Sequence, residues 1–120
     1  MPACASAALL QNKLRTQWGF GGYVITDCFA VDDIYNATYG HGTAPNLRVA
    51  SKQVVKAGTD MICKQSLGLV AADLTPLELN RATKRVLAAR VRWAPGTGCI
   101  ACFTMLQVCT VVDCRQGHFN

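Results

Sequence analysis

Charge is scarce in this chain. Only 16% of its 120 residues are Asp, Glu, Lys or Arg, against 51% hydrophobic. That balance excludes a disordered acidic or basic tail. The net charge is +5, and most of it sits on one helix described below, so it is not the footprint of a nucleic-acid binder. Long apolar runs are missing as well. None reaches the ~18 residues of a membrane-spanning helix, so no membrane association is expected. Met1-Pro2-Ala3-Cys4 lacks a basic n-region and a following apolar h-region, so no secretory signal is expected and the compartment stays open. The glycine-rich stretch Tyr39-Gly40-His41-Gly42-Thr43-Ala44-Pro45 lacks the Gly-Lys-Ser/Thr ending of a phosphate loop, which argues against nucleotide binding. His41 is a lone loop histidine and receives no catalytic assignment. Glu78 is the only glutamate in the chain.

Cysteine, by contrast, is abundant. There are seven, an odd number, at spacings that outline no disulfide framework. Cys4, Cys28 and Cys63 are spread through the first 63 residues, while Cys99, Cys102, Cys109 and Cys114 crowd the end. The count leaves the redox compartment open.

The pattern between these cysteines alternates helix and strand. Ser6 is placed to N-cap a helix over about Ala7 to Trp18, with Leu10, Leu14 and Trp18 on one apolar stripe and Gly19 at the left-handed position beyond its end. Gly21-Gly22 turns the chain into a short buried strand, Tyr23-Val24-Ile25. The strand runs out at Asp27. A carboxylate there either carries chemistry, because loops at the C-terminal ends of parallel strands surround ligands, or caps the next turn. Asp32 and Asp33 read as polar residues at the start of a surface turn. Asn46 caps a helix over Leu47 to Ala57 that Gly58 closes, and Met61-Ile62-Cys63 reads as a second short strand. Asp60 precedes that strand and so reads as a brace, not a reacting group. Thr75-Pro76-Leu77-Glu78 is a capping box with proline at the first helical position. The helix it opens buries Leu79, Ala82, Val86, Ala89 and Trp93 and leaves its arginines in solvent. Helix, strand, helix, strand, helix predicts an α/β arrangement of parallel strands with helices outside.

Three of these segments carry a resemblance. Gly19-Phe20-Gly21-Gly22-Tyr23-Val24-Ile25-Thr26-Asp27-Cys28 resembles the nucleophile segment of glycoside hydrolase family 3, the β-glucosidase and β-xylosidase family, with Thr26 where that family usually has serine. Upstream, Pro2-Ala3-Cys4-Ala5 with Leu9-Leu10 is similar to the family's approach to that segment. Downstream, Lys56-Ala57-Gly58-Thr59-Asp60-Met61 is similar to its Lys-Ala-Gly-x-Asp segment. The resemblance spans about Pro2 to Trp93.

The resemblance implies a fold and a chemistry. The fold is the last helix-strand-helix-strand-helix units of a (β/α)8 TIM barrel, because 120 residues fall short of the roughly 250 of a closed barrel. Residues 1–93 would be the C-terminal part of a glycoside hydrolase family 3 N-terminal-like barrel domain. The activity is hydrolysis of O-glycosidic bonds at the non-reducing end of β-glucosides or β-xylosides by a retaining mechanism. Asp27 matches the nucleophile, and Cys28 and Tyr23 are candidate substrate-binding residues. No cofactor and no metal is implied, and the partner is the carbohydrate substrate. Family members are often secreted. A retaining enzyme needs two carboxyl groups about 5–5.5 Å apart. The family's acid/base comes from a following domain and Glu78 is committed to a helix cap, so the isolated chain is expected to be inactive. Two alternatives stay open: a non-catalytic carbohydrate-binding remnant, and a small cysteine-rich metal or interaction protein.

The second alternative rests on the end of the chain. Pro95-Gly96-Thr97-Gly98 breaks structure, and Cys99 to Val112 is apolar with no clear period. Cys99-x-x-Cys102 with Cys114-x-x-x-His118 has zinc-ligand spacing, but the residues between are apolar. Residues 94–120 are therefore read as an unrelated tail, the product of a translated intron or shifted frame.

Overall fold

The structure is a computed structural model and describes residues 1–64, 67–92 and 105–106. The described chain is mostly helical. Its first helix, Ala8–Gln17, is wound with a wide turn, closed where the Trp18 N–H donates to the Lys13 carbonyl at 2.9 Å. Ser6 caps it, its Oγ accepting from the Leu9 N–H at 3.3 Å. Leu10 and Leu14 are buried as the stripe requires, but Trp18 is 69% exposed. Trp18 is the C-cap residue and lies beyond the helix's last turn, outside the buried stripe. Gly19 follows at φ +66°, a conformation that costs glycine nothing and other residues a steric clash.

Strand β1, Tyr23–Val24, comes next. Helix α1 spans Ala30–Tyr35, helix α2 Leu47–Ala57 and helix α3 Pro76–Arg92. Asp32 and Asp33 lie in the first turn of α1 as expected, although Asp33 is buried and not on the surface. Helix α2 begins where the Asn46 side chain accepts from the Val49 N–H at 3.0 Å. It ends at Gly58, whose φ of +118° reverses the chain. A Cβ at Gly58 would sit 2.7 Å from Gln11 Nε2, so a side chain there would displace the end of Gln11 as well as strain φ. The capping box of α3 forms in both directions: Thr75 N–H donates to Glu78 Oε2 at 2.8 Å, and Glu78 N–H donates to Thr75 Oγ1 at 3.3 Å.

Two cores hold these elements. The larger gathers Val31 and Ile34 of α1, Ala50, Val54 and Val55 of α2, and Cys4, Ile62, Val70 and Leu74. The smaller packs Leu10, Leu14, Val24 and Ala57 together, which is how the first helix and α2 cover one side of β1. On α3, Ala82 is buried and Leu79, Val86 and Ala89 are half-buried.

The β-structure is smaller than the sequence pattern predicts. The strand expected over Met61-Ile62-Cys63 is a single parallel bridge, Met61 opposite Ile25. The ladder stops there because the Cys63 N–H donates sideways to Thr26 Oγ1 at 3.0 Å, leaving no donor to continue it. The other edge of β1 pairs in parallel with β2, Met105–Leu106, with Tyr23 opposite Met105 and Val24 opposite Leu106. Trp93 and, β2 apart, the rest of residues 94–120 lie outside the described residues, including Cys99, Cys102, Cys114 and His118 of the zinc-like spacing.

Candidate active site

The site is built on β1 and the residues that follow it. Exposure alternates from Tyr23 to Asp27: Val24 and Thr26 are buried, while Tyr23, Ile25 and Asp27 are half-buried. Successive side chains of extended backbone point to opposite faces. Val24 faces the helices in the smaller core. Tyr23, Ile25 and Asp27 therefore share the other face, and Asp27 stands at its C-terminal end.

What fixes β1 is a buried charge cluster at its other end. Asp60 is 1% exposed. Its Oδ2 accepts from Arg15 Nη2 at 2.6 Å and from the Val24 N–H at 2.9 Å, and its Oδ1 accepts from Arg85 Nη1 at 2.9 Å. The backbone adds to this, since the Asp60 and Met61 N–H groups both donate to the Val24 carbonyl. Asp60 thus braces the strand and lies away from Asp27, as its place before the second β segment predicts. Arg15 ties in the preceding loop by donating to the Phe20 and Gly22 carbonyls and lying 5.2 Å from the Phe20 ring centroid. Burial pushes the Asp60 carboxyl up from its ordinary value, against hydrogen bonds from Arg85 and the Val24 N–H and the charges of both arginines. Burial likewise lowers Arg15, opposed by the charge of Asp60. Ion pairs this dry are costly to form and costlier to break, because a removed partner strands the other charge.

At the open end, the Asp27 carboxylate accepts from the Phe29 N–H at 2.9 Å. This closes a tight side-chain turn around Cys28. Cys28 is joined to Cys63 by a disulfide with Cα atoms 4.5 Å apart. Lys64 follows at φ +68°, the one positive φ at a non-glycine residue among those described, and its Nζ lies 3.5 Å from the Phe29 ring centroid. Of the three residues singled out from the sequence, Asp27 and Cys28 are neighbours in this turn. Tyr23 is on the same face of the strand, four residues before Asp27. The Cys28 sulfur, being disulfide-bonded, meets any ligand as a cystine and not as a thiol.

Sequence reasoning missed the disulfide and the two arginines on Asp60. A signal for the first was present. Parallel pairing of Ile25 with Met61 puts Cys63 level with Asp27, one residue from Cys28. Nothing comparable marks Arg15 and Arg85, which come from helices 70 positions apart in numbering. Among the described residues no group of three His, Cys, Asp or Glu side chains is arranged to hold a metal, and no helix is long and apolar enough to cross a membrane.

Comparison with known proteins adds a lineage to this geometry. The sequence model described as "Glycosyl hydrolase family 3 N terminal domain" matches residues 1–90. "Probable beta-D-xylosidase 7" of Arabidopsis thaliana is 35% identical over 98 residues, 77% of this chain and 12% of the relative. "Exo-1,4-beta-xylosidase xlnD" of Aspergillus niger is 33% identical over 100 residues, again 77% of this chain and 12% of the relative. "Probable beta-D-xylosidase 6" of Arabidopsis thaliana is 46% identical over 63 residues, 52% of this chain and 7% of the relative. The chain spans about an eighth or less of the length of these relatives.

Proposed function

The chain belongs to the glycosyl hydrolase family 3 N-terminal domain family, and from that premise we propose that it is the nucleophile-bearing part of a retaining β-glycosidase, with Asp27 as the nucleophile. The observation that carries this reading is the position of Asp27: the last residue of an extended run, on the face that the helices leave half-open. In a (β/α)8 barrel the corresponding face lines the interior, and the C-terminal ends of the strands hold the chemistry. Residues 1–93 are accordingly read as the closing units of such a barrel. The xylosidase names of its relatives favour a β-linked xyloside over a glucoside.

In this mechanism the ionised Asp27 carboxylate attacks the anomeric carbon as the bond to the leaving oxygen breaks, forming a covalent glycosyl-enzyme. A second carboxyl group protonates the leaving oxygen and then activates water. The Phe29 N–H bond to the Asp27 carboxylate fixes its rotamer, and a nucleophile must be held in position. In this reading Tyr23, on the same face as Asp27, and the Cys28–Cys63 cystine beside it border the sugar. The acid/base does not come from Glu78. Glu78 is bonded to Thr75 at the start of α3 and lines the same recess as Asp60, at the opposite end of β1 from Asp27.

The test is a graft. Residues 1–90 replace the matching segment of a full-length β-xylosidase relative, and turnover of nitrophenyl β-xyloside and β-glucoside is measured. The chimera is expected to turn over the xyloside, and Asp27→Asn to lower kcat on the order of 10⁴-fold. An Asp27→Asn chimera with undiminished kcat would overturn the assignment.

A further inference from the structure

We infer that the Cys28–Cys63 disulfide is a reducible clamp on the loop that presents Asp27. Three contacts join residues 26–29 to residues 63–64. They are the disulfide itself, the Cys63 N–H bond to Thr26 Oγ1 at 3.0 Å, and Lys64 Nζ over the Phe29 ring at 3.5 Å. The disulfide is central to the set, because Cys28 is the middle residue of the turn that Asp27 closes on the Phe29 N–H. Holding Cys28 holds both ends of that turn. Phe29 is 60% exposed and its side chain is not part of either core, although its carbonyl accepts from the Asp33 N–H at 3.0 Å. Lys64, held at positive φ beside Cys63, is a residue whose backbone relaxes once the constraint is released, since such conformations persist only where surrounding structure over-determines them.

Both cysteines are half-buried, not enclosed, and Lys64 next to them is exposed. A dithiol reductant therefore has access. Its thiolate attacks one sulfur, breaking the Cys28–Cys63 bond and forming a mixed disulfide while the other cysteine leaves as a thiolate. The second thiol of the reductant then displaces the first cysteine. The reductant is oxidised to a cyclic disulfide, two electrons pass to the cystine, and both cysteines take up the protons the dithiol has lost. With the clamp open, the hydroxyl bond and the cation–ring contact remain between the turn and residues 63–64, while the Thr26 N–H still donates to the Met61 carbonyl and the Asp33 N–H to the Phe29 carbonyl.

The meaning of the clamp for catalysis rests on Asp27 being the nucleophile. Its test does not, so failure of one is distinguishable from failure of the other. Amide hydrogen exchange is followed in the full chain, oxidised and after dithiothreitol, with cysteine states mapped by alkylation. The Phe29 amide is expected to exchange at least about tenfold faster after reduction, with the amides of α2 and α3 unchanged, since local opening and global unfolding separate in such data. The Phe29 amide of the Cys28→Ala/Cys63→Ala chain is expected to exchange as fast as in the reduced wild type, and at the same rate before and after dithiothreitol. If that chain fails to fold, reduction of the folded wild type still decides the matter. Free thiols at Cys28 and Cys63 before reduction would overturn the inference, and so would an unchanged Phe29 amide. An equal acceleration throughout α2 and α3 would also overturn it, because the disulfide would then be a global staple.

Discussion

Removing the charge of Asp60 should undo the strand that presents Asp27, and the size of the effect follows from burial. In Asp60→Asn the side chain keeps its shape, but Arg15, 9% exposed, loses its counter-charge, as does Arg85, 25% exposed. Breaking a buried pair from one side costs about 3–5 kcal/mol. Asparagine still accepts one hydrogen bond, so the Val24 N–H need not be orphaned, which places the expected loss at the lower part of that range. A domain of this size carries only about 5–15 kcal/mol in total and shifts by roughly 4 °C per kcal/mol. The melting temperature is therefore expected to fall by about 12–16 °C. Urea unfolding followed by far-UV circular dichroism measures the loss, with Asp73→Asn as reference. The Arg48–Asp73 pair has its arginine 56% exposed, so solvent screening leaves it a far smaller contribution. A double-mutant cycle adds Arg15→Met, and the double variant should cost less than the two single losses together. A loss for Asp60→Asn no larger than for Asp73→Asn, with no coupling to Arg15, would refute the reasoning.

Three further expectations follow from other parts of the fold. The Glu78 carboxyl is held below its ordinary value near 4.5 by bonds from the Thr75 N–H and hydroxyl. Its contribution to α3 is thus fully present above pH 4.5 and is lost as pH falls through the depressed value, a helicity loss that circular dichroism should register and Glu78→Gln should abolish. Gly58→Ala combines φ of +118° with a Cβ 2.7 Å from Gln11 Nε2, and thermal unfolding should show a cost of about 1–3 kcal/mol. The isolated chain should show no turnover of nitrophenyl β-xyloside or β-glucoside. Absence of the acid/base removes about 10²–10⁴-fold and loose positioning a further ~10²-fold, so activity that disappears in Asp27→Asn would contradict the account.

Much of this architecture was legible in the sequence, and the reason is local chemistry. Asn46, Gly58, Thr75 and Glu78 act on backbone groups within a few residues of themselves, so the bounds of α2 and the start of α3 could be read directly. Asp60 could be read as a brace because its place before a β segment assigns it to the stability side. The partners of Asp60 could not, since Arg15 and Arg85 on their helices look like the other solvated arginines until the helices are packed. Trp18 misled for a related reason: helical spacing put it on the apolar stripe, but spacing carries no information on where cover by other elements ends. The second strand failed because Cys63 found a side-chain acceptor in Thr26, an interaction set by the register of two segments 37 residues apart. At the site, the extended run that leads to Asp27 was legible from its residues, whereas the disulfide beside it needed that same register.

The most direct measurement of the central claim is covalent trapping. The chimera carrying residues 1–90 is incubated with an activated 2-deoxy-2-fluoro-β-xyloside, which slows hydrolysis of a glycosyl-enzyme enough to collect it, and the digest is mapped by mass spectrometry. The account predicts a single fluoroxylosyl adduct on the peptide containing Asp27, absent from the Asp27→Asn chimera. An adduct on any other carboxylate, in a chimera that turns over substrate, would contradict it.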